Sequence, residues 1–522
     1  MSKKLFSRAV IAFAMLATAG AHAQSSSDLI SGLAGRLASS SGAGYVSYSN
    51  GASGSATRTA ASKFQDSINS ADFAGCDPTG TTDSTTCLNN AIAAAGSKAL
   101  TIGPGTYKYT ALTIGHPITI RGAGLASTIL METSATGDGI TVSANQVVIE
   151  GIGFNASVTR TAGAFVNMTS GTSQVTLRDF YMTGHFLGVH MTCAAECRVQ
   201  SGTMYGGATT TGSGGILVDG GNDQYVSQVT MDAPSGSQQW MGIQVTNSGA
   251  LNFTDLDIIH HGYDLLIDPA SGQSVASLYA ENSYFDTASY GIFVNPSGTG
   301  NVIRLHFIGC WSSSQANAGI QIQPAGTGTT SGIEFIAHHA IGNGSNGALI
   351  QAGTAAPTAV KFIGGDFAGN AQNGIAFGAG VGYFSVIGVN AGAYAGVGGN
   401  GAWGVIASAG SGDYYTISDT QAVGNTSGGI SDGGTGTHKW VKSNLPYTAP
   451  ANVSQSVGAS PWTYTNTSGQ YQTAYVNGGT VSVIAVNGGN VFLQSNQSVR
   501  VPPNASMTVT YSVAPTVVVG TD

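Results

Sequence analysis

The chain has 522 residues, of which 42% are apolar and only 8% charged, and it carries 77 glycines. A net charge of −8 offers no basic surface to nucleic acid or an anionic membrane, so neither is expected as a partner. Apolar residues that return in register also exclude a disordered chain, which lacks the regularly spaced Ile, Val, Phe and Leu needed for a core.

Lys3, Lys4 and Arg8 precede an apolar run over 9–16, and Ala21-His22-Ala23 has the small-x-small form of a signal peptidase site. The expectation is a signal peptide over 1–23, with secretion to the periplasm or the medium. No later run supplies the roughly 20 apolar residues of a membrane span, so membrane insertion is not expected. Cys76 and Cys87 flank a turn, and Cys193 and Cys197 flank a three-residue tip. These spacings predict two local disulfides and a lone buried thiol at Cys310. No second Cys or His pair stands at zinc-ligand spacing from Cys193 and Cys197.

Residues 24–71 read as a lead-in. Within it and just past its end, Gly44-Tyr45-Val46-Ser47, Ala56-Thr57-Arg58-Thr59 and the run from Lys63 to Phe73 resemble the segment that precedes the β-helix of many phage tailspikes. The run from Gly80 through Thr82-Asp83 to Ile92 is similar to the opening of the pectate-lyase-like superfamily, and Ile102-Gly103-Pro104-Gly105-Thr106-Tyr107 and Ile118-Thr119-Ile120-Arg121-Gly122-Ala123-Gly124 continue that likeness. The resemblance implies a right-handed parallel β-helix with a helical cap. Residues 88–95 read as that cap, a short amphipathic helix that shields the open end of the solenoid from water and edge pairing. The same opening precedes lyases, hydrolases and binding proteins, so it speaks for fold and not for function.

Across 72–445 a Gly-Ile-x-Val phrase returns about every 24 to 30 residues, after turns rich in Gly, Ser and Asn. Copies stand at Gly188, Gly215, Gly242, Asp264, Gly291, Gly319 and Gly374, with shorter β-like runs between them. This predicts an all-β fold, a parallel β-helix of about 10–12 coils, as a solenoid period of this length requires. With the first and third residues after Gly facing inward, His190, Leu217, Gln244, Leu266, Phe293, Gln321 and Ala376 form an outward column. Its apolar members need cover from a neighbouring subunit, a loop or sugar rings.

Residues 446–456 read as a linker, and 457–522 as a small β-sandwich with short alternating strands and Gly-Gly or Asn-Gly hairpin turns. Its order, from Pro461-Trp462-Thr463-Tyr464 to the final Val-rich strand, resembles a C-terminal module of phage tail proteins. In such proteins that module implies a trimer tip or a carbohydrate-binding unit, and tailspike-like ends together imply a parallel homotrimer.

The densest chemical segment holds Asp255, Asp257, His260, His261, Tyr263 and Asp264, and Glu281 and Asp286 arrive one coil later. Aligning inward strand residues sets Asp255 beside Asn282 and Asp257 beside Tyr284. Coils about 4.8 Å apart bring carboxylates into the ~5 to 9.5 Å range used in glycoside hydrolysis, while His260, His261 and Tyr263 would serve β-elimination. Substrate contacts are expected from His190, Gln244, Phe293, Gln321 and Trp311. Arg178, Arg198, Arg304 and Lys361 are few cations for so long a rod, which argues against a strongly anionic substrate held by basic residues alone. No cofactor is called for; calcium is the one ion that aspartates such as Asp219 and Asp223, with Asn222, would suit. These features point to a secreted polysaccharide depolymerase acting by hydrolysis or β-elimination. The alternative is a non-catalytic carbohydrate-binding surface or matrix protein or adhesin.

Overall fold

The computed structural model describes residues 26–234, 238–446, 452–468 and 471–521. The expected signal peptide lies outside them, as does much of the expected linker. The chain divides into two compact units, 1–68 and 69–522. In the first, helix Ser26–Leu37 is followed by the two-residue strands Ser47–Tyr48 and Arg58–Thr59, paired antiparallel, and by helix Ala60–Phe64, whose N-terminus is capped by the Thr59 hydroxyl.

The second unit is a right-handed parallel β-helix of about 13 turns followed by two antiparallel sheets. Helix Thr85–Ala95 buries Cys87, Leu88, Ala91, Ile92 and Ala95, the apolar face expected of a cap. One inward ladder climbs the rod from Leu112 through Ile140, Val166 and Val189 to Ile430, each rung a β-branched or aliphatic side chain in parallel register. Such residues fit a pleated, half-buried surface, and stacking gives each coil the core it cannot build alone.

Each coil presents three faces. The first holds the Gly-Ile-x-Val strands, as in Tyr290–Val294; the second holds strands such as Asn301–Ile308; the third holds three-residue strands, Asp257–Ile259, Tyr284–Asp286 and Trp311–Ser313. Left-handed residues turn the chain between faces. Asp255, Asn282 and Gly309 (φ 54, 48 and 61°) separate the second face from the third, and His260, Thr287 and Ser314 (φ 65, 56 and 58°) separate the third from the first. Asp and Asn tolerate this region better than other side chains do, so their abundance at corners is partly a backbone requirement.

Inside, Phe307, Phe335 and Phe362 stack at 4.9 and 5.0 Å. Where coils turn, Asn343, Asn370, Asn400 and Asn425 form a ladder in which each side-chain amide donates to the next carbonyl oxygen at 2.8 to 2.9 Å. A buried amide is costly without partners, and stacking identical residues supplies them rung after rung.

The outward column of the first face runs in register from His190 through Leu217, Gln244, Leu266 and Phe293 to Gln321. It does not form an exposed apolar ladder. Leu266 is 3% and Phe293 9% exposed, because Trp240, Tyr263, Tyr290 and Phe293 pack ring on ring at 5.1 to 5.8 Å. The chain thus covers much of the column's apolar surface itself.

Cys76 is joined to Cys87 and Cys193 to Cys197, and Cys310 is buried as a free thiol. After the helix, strands of 453–455, 516–521, 472–477 and 497–501 form one sheet, and those of 462–465, 506–513, 480–486 and 489–492 the other. Ala474, Val476, Ile484, Val499, Val501, Met507, Val509, Val517 and Val519 fill the space between them. No helix among the described residues is long and apolar enough to cross a membrane.

Candidate functional site

Three successive coils set carboxylates on the outer surface of the third face. In one outward column Asp257 stands between Thr230 and Tyr284, and in the next Ile259 stands between Asp232 and Asp286. With about 4.8 Å between coils and about 3.3 Å per residue along a strand, Asp257 and Asp286 are roughly 8 Å apart at Cα. That spacing lets their carboxyl groups fall within the ~5 to 9.5 Å that paired glycosidase carboxylates span. Asp255, Leu256, Asp257, Asn282 and Tyr284 line an open hollow of about 550 Å³ beside them.

The electrostatics differentiate these acids. Partial burial, then the neighbouring charges of Asp286 and Asp232, hold the Asp257 carboxyl above its ordinary range. Asp232 is engaged by His260, whose Nδ1 lies 2.9 Å from its Oδ1. A carboxyl whose pKa is raised by burial and by neighbouring carboxylates suits a general acid. Past Asp257 the same column continues through Tyr284, Trp311, His339 and Asp366. Tyr284 and Trp311 have ring centroids 6.5 Å apart, and His339 Nδ1 is 2.7 Å from Asp366 Oδ2. Neither outward column carries a Lys or Arg from Thr203 to Asp366 or from Tyr205 to Ser313.

The structure distributes the residues singled out from sequence over four surroundings. Asp257, His260, Asp286 and Trp311 meet on the third face or its edge, and Asp255 sits at the adjoining corner with Asn282. Glu281 lies across that corner on the second face, opposite Thr254 and Ile308. His190, Gln244, Tyr263, Phe293 and Gln321 belong to the first face. There the Gln244 amide donates to Asp268, whose carboxyl burial pushes up to about 6, and the Gln321 amide donates to Gln323. His261 and Asp264 are inside the rod, 1% and 0% exposed, with His261 Nδ1 3.5 Å from Asp264 Oδ1. That burial removes both from any site on the outer surface, a correction to their assignment as acid and base.

Other polar residues fall in separate surroundings. His338 is buried against the Ser312 hydroxyl at 2.9 Å while His339 faces out, and Glu334 pairs with Lys361 and His306 on the second face. Asp219 accepts from Thr246, and among the described residues no group of three or more His, Cys, Asp or Glu is placed to hold a metal ion. Asp232 is the functional candidate that sequence reasoning passed over. It precedes Asp257 by one coil, so the repeat period alone would have aligned it with Ile259 and Asp286.

No family model matches the sequence, and no curated protein matches it. Solved structures do. A double mutant of the tailspike protein of E. coli bacteriophage HK620, in complex with a pentasaccharide, superposes with a TM-score of 0.55 at 11% identity, over 94% of this chain and 99% of that one. Tailspike protein 3 of bacteriophage CBA120 gives 0.55 at 13% identity, over 81% of this chain and 70% of its own. The chain thus shares with these tailspikes the fold of a right-handed parallel β-helix, over nearly its whole length in the first case.

Proposed function

We propose that the protein is a polysaccharide depolymerase that hydrolyses a glycosidic bond lying across the third face, with Asp257 as the general acid and Asp286 as the partner carboxylate. The observation that carries this reading is the raised carboxyl of Asp257 beside Asp286 and Asp232 on one open surface. Hydrolysis is preferred to β-elimination because a lyase must neutralise a uronate carboxylate, and these columns offer aspartates where it would need cations. A neutral polymer suits them better. Tyr284 and Trp311 give sugar rings apolar surfaces to rest on, and the pentasaccharide bound to the HK620 tailspike, a protein of the same fold, supports a saccharide as ligand.

The purified mature chain, screened against neutral and acidic bacterial and plant polysaccharides, is expected to release new reducing ends from a neutral polymer with no ultraviolet absorbance from an unsaturated product. Tight binding with no product from any polymer would replace this reading with that of a carbohydrate-binding surface protein. Export under the N-terminal leader belongs to the same proposal, since a polymer of this size is met outside the cell.

Assembly as a homotrimer is the remaining part. It rests on the tailspike-like ends, because much of the first-face column is covered within the chain. Sedimentation equilibrium is expected to give three times the chain mass; a single species of one chain mass would remove this element.

A further inference from the structure

The third face carries more than its acids. Three hollows follow one another along it: one at Asp257 and Tyr284, one bordered by Val158, Tyr205 and Pro234, and one of about 440 Å³ near the N-terminal end, walled by Leu125, Ile129, Phe154, Tyr181 and Thr183. The last differs in chemistry. Its walls are almost wholly apolar, yet it is open to water, with Leu125 43% and Tyr181 37% exposed. No side chain rises from its floor, because the outward column, which carries Tyr181, Thr203, Thr230 and Asp257 in the coils above, has glycine at 153. A Cβ there would collide with the Leu125 carbonyl. Of the polar side chains that line it, the Asn155 carboxamide oxygen already accepts from the Ala156 amide.

The hollow and the acids therefore share one line. Gly153 is four rungs from Asp257, roughly 19 Å at about 4.8 Å per coil, which places the hollow several sugar residues from the bond over Asp257. An unsubstituted hexose presents hydroxyls on every edge and would leave them unpaired against such walls. We infer that this hollow is a specificity subsite for an apolar substituent, the methyl of a 6-deoxy sugar or of an acetyl group, on a residue of the polymer bound along the third face. The inference rests on the saccharide reading of that face and narrows it to a substrate class, a polysaccharide with deoxy or acetylated residues.

The test uses L-rhamnose, N-acetylglucosamine and glucose as probes of the full mature chain, with affinity and saturation transfer followed by NMR. At least one of the first two is expected to bind about fourfold more tightly than glucose, the gain from burying one methyl, and to receive its strongest transfer at the methyl protons. Which one does so identifies the substituent. Leu125→Ser, at an exposed position that should tolerate it, and separately Tyr181→Ser are expected to abolish the preference, while Asp257→Asn retains it. Equal binding of all three sugars, no binding by any, or a preference unchanged in both wall variants would overturn the inference. So would a hollow that becomes accessible only on dilution, which would make its occupant a second copy of this chain. Selectivity without cleavage of any polymer would leave the subsite standing and remove the enzymatic reading; cleavage without selectivity would do the reverse.

Discussion

Replacing Asp257 with Asn is expected to lower the rate of polysaccharide cleavage by about 10²- to 10⁴-fold, the contribution of one positioned general acid, while leaving the fold and polymer binding intact. The substitution keeps the size of the side chain on a surface strand, and its neighbours Thr230 and Tyr284 do not depend on its charge. The pH profile gives a second, independent reading. Asp257 can donate only while protonated, so activity should fall as pH rises through its elevated pKa. Asp286 and Asp232 help to hold that pKa up. Asp232→Asn removes one negative neighbour and should let Asp257 ionise earlier, moving the alkaline limb to lower pH while most of the activity at the optimum survives. A limb that does not move, or Asp257→Asn with undiminished turnover, would transfer the chemistry elsewhere on the rod.

Much of the fold was legible in the sequence, because a solenoid writes its period directly into the chain. The Gly-Ile-x-Val copies fell on one face, and Asp257 was correctly set beside Tyr284 by aligning inward residues of successive coils. The site was less legible, for a local reason. His260 lies in the left-handed region at a corner, so the inward and outward alternation that holds along a strand is reset there, and neighbours in sequence part company: His260 reaches Asp232 outside while His261 goes to the interior.

Asp264 shows the same limit from another side. It occupies the position held by glycine in the neighbouring copies of the phrase, and the missing side chain there points inward, since a Cβ on Gly215 or Gly242 would run into Met231 or Ile258. Simple alternation along the phrase would turn this position outward, so the buried acid was not legible from the repeat alone. Glu281 failed for the complementary reason, since one corner residue, Asn282, is enough to carry it to a different face.

The interior acid and the interior histidines should leave opposite marks on stability. Burial lowers His185 to about 4 and both His261 and His338 to about 3, so each stays neutral in the fold. Their unfolded counterparts take up protons below about 6.5, so the stability they contribute is complete above that pH and is lost as pH falls. At pH 5 each costs about 2 kcal/mol relative to neutral pH. Asp264 behaves in reverse. Burial drives its carboxyl well above the ordinary range, so the folded form keeps a proton that the unfolded chain releases, and its contribution is complete at low pH and lost as pH rises. The two effects oppose one another in the wild-type chain.

Asp264→Asn, which keeps the shape and removes the ionisation, should separate them. Its unfolding midpoint in guanidinium chloride is expected to exceed that of the wild type at pH 8, to converge with it toward pH 4, and to fall more steeply on acidification because the histidine contribution is no longer offset. A variant less stable than the wild type at pH 8 would mean that the charged carboxylate is what the interior holds. The pairing with His261 at 3.5 Å would then be an ion pair sealed in the core, and its disruption would carry the cost of an uncompensated buried charge, about 3 to 5 kcal/mol.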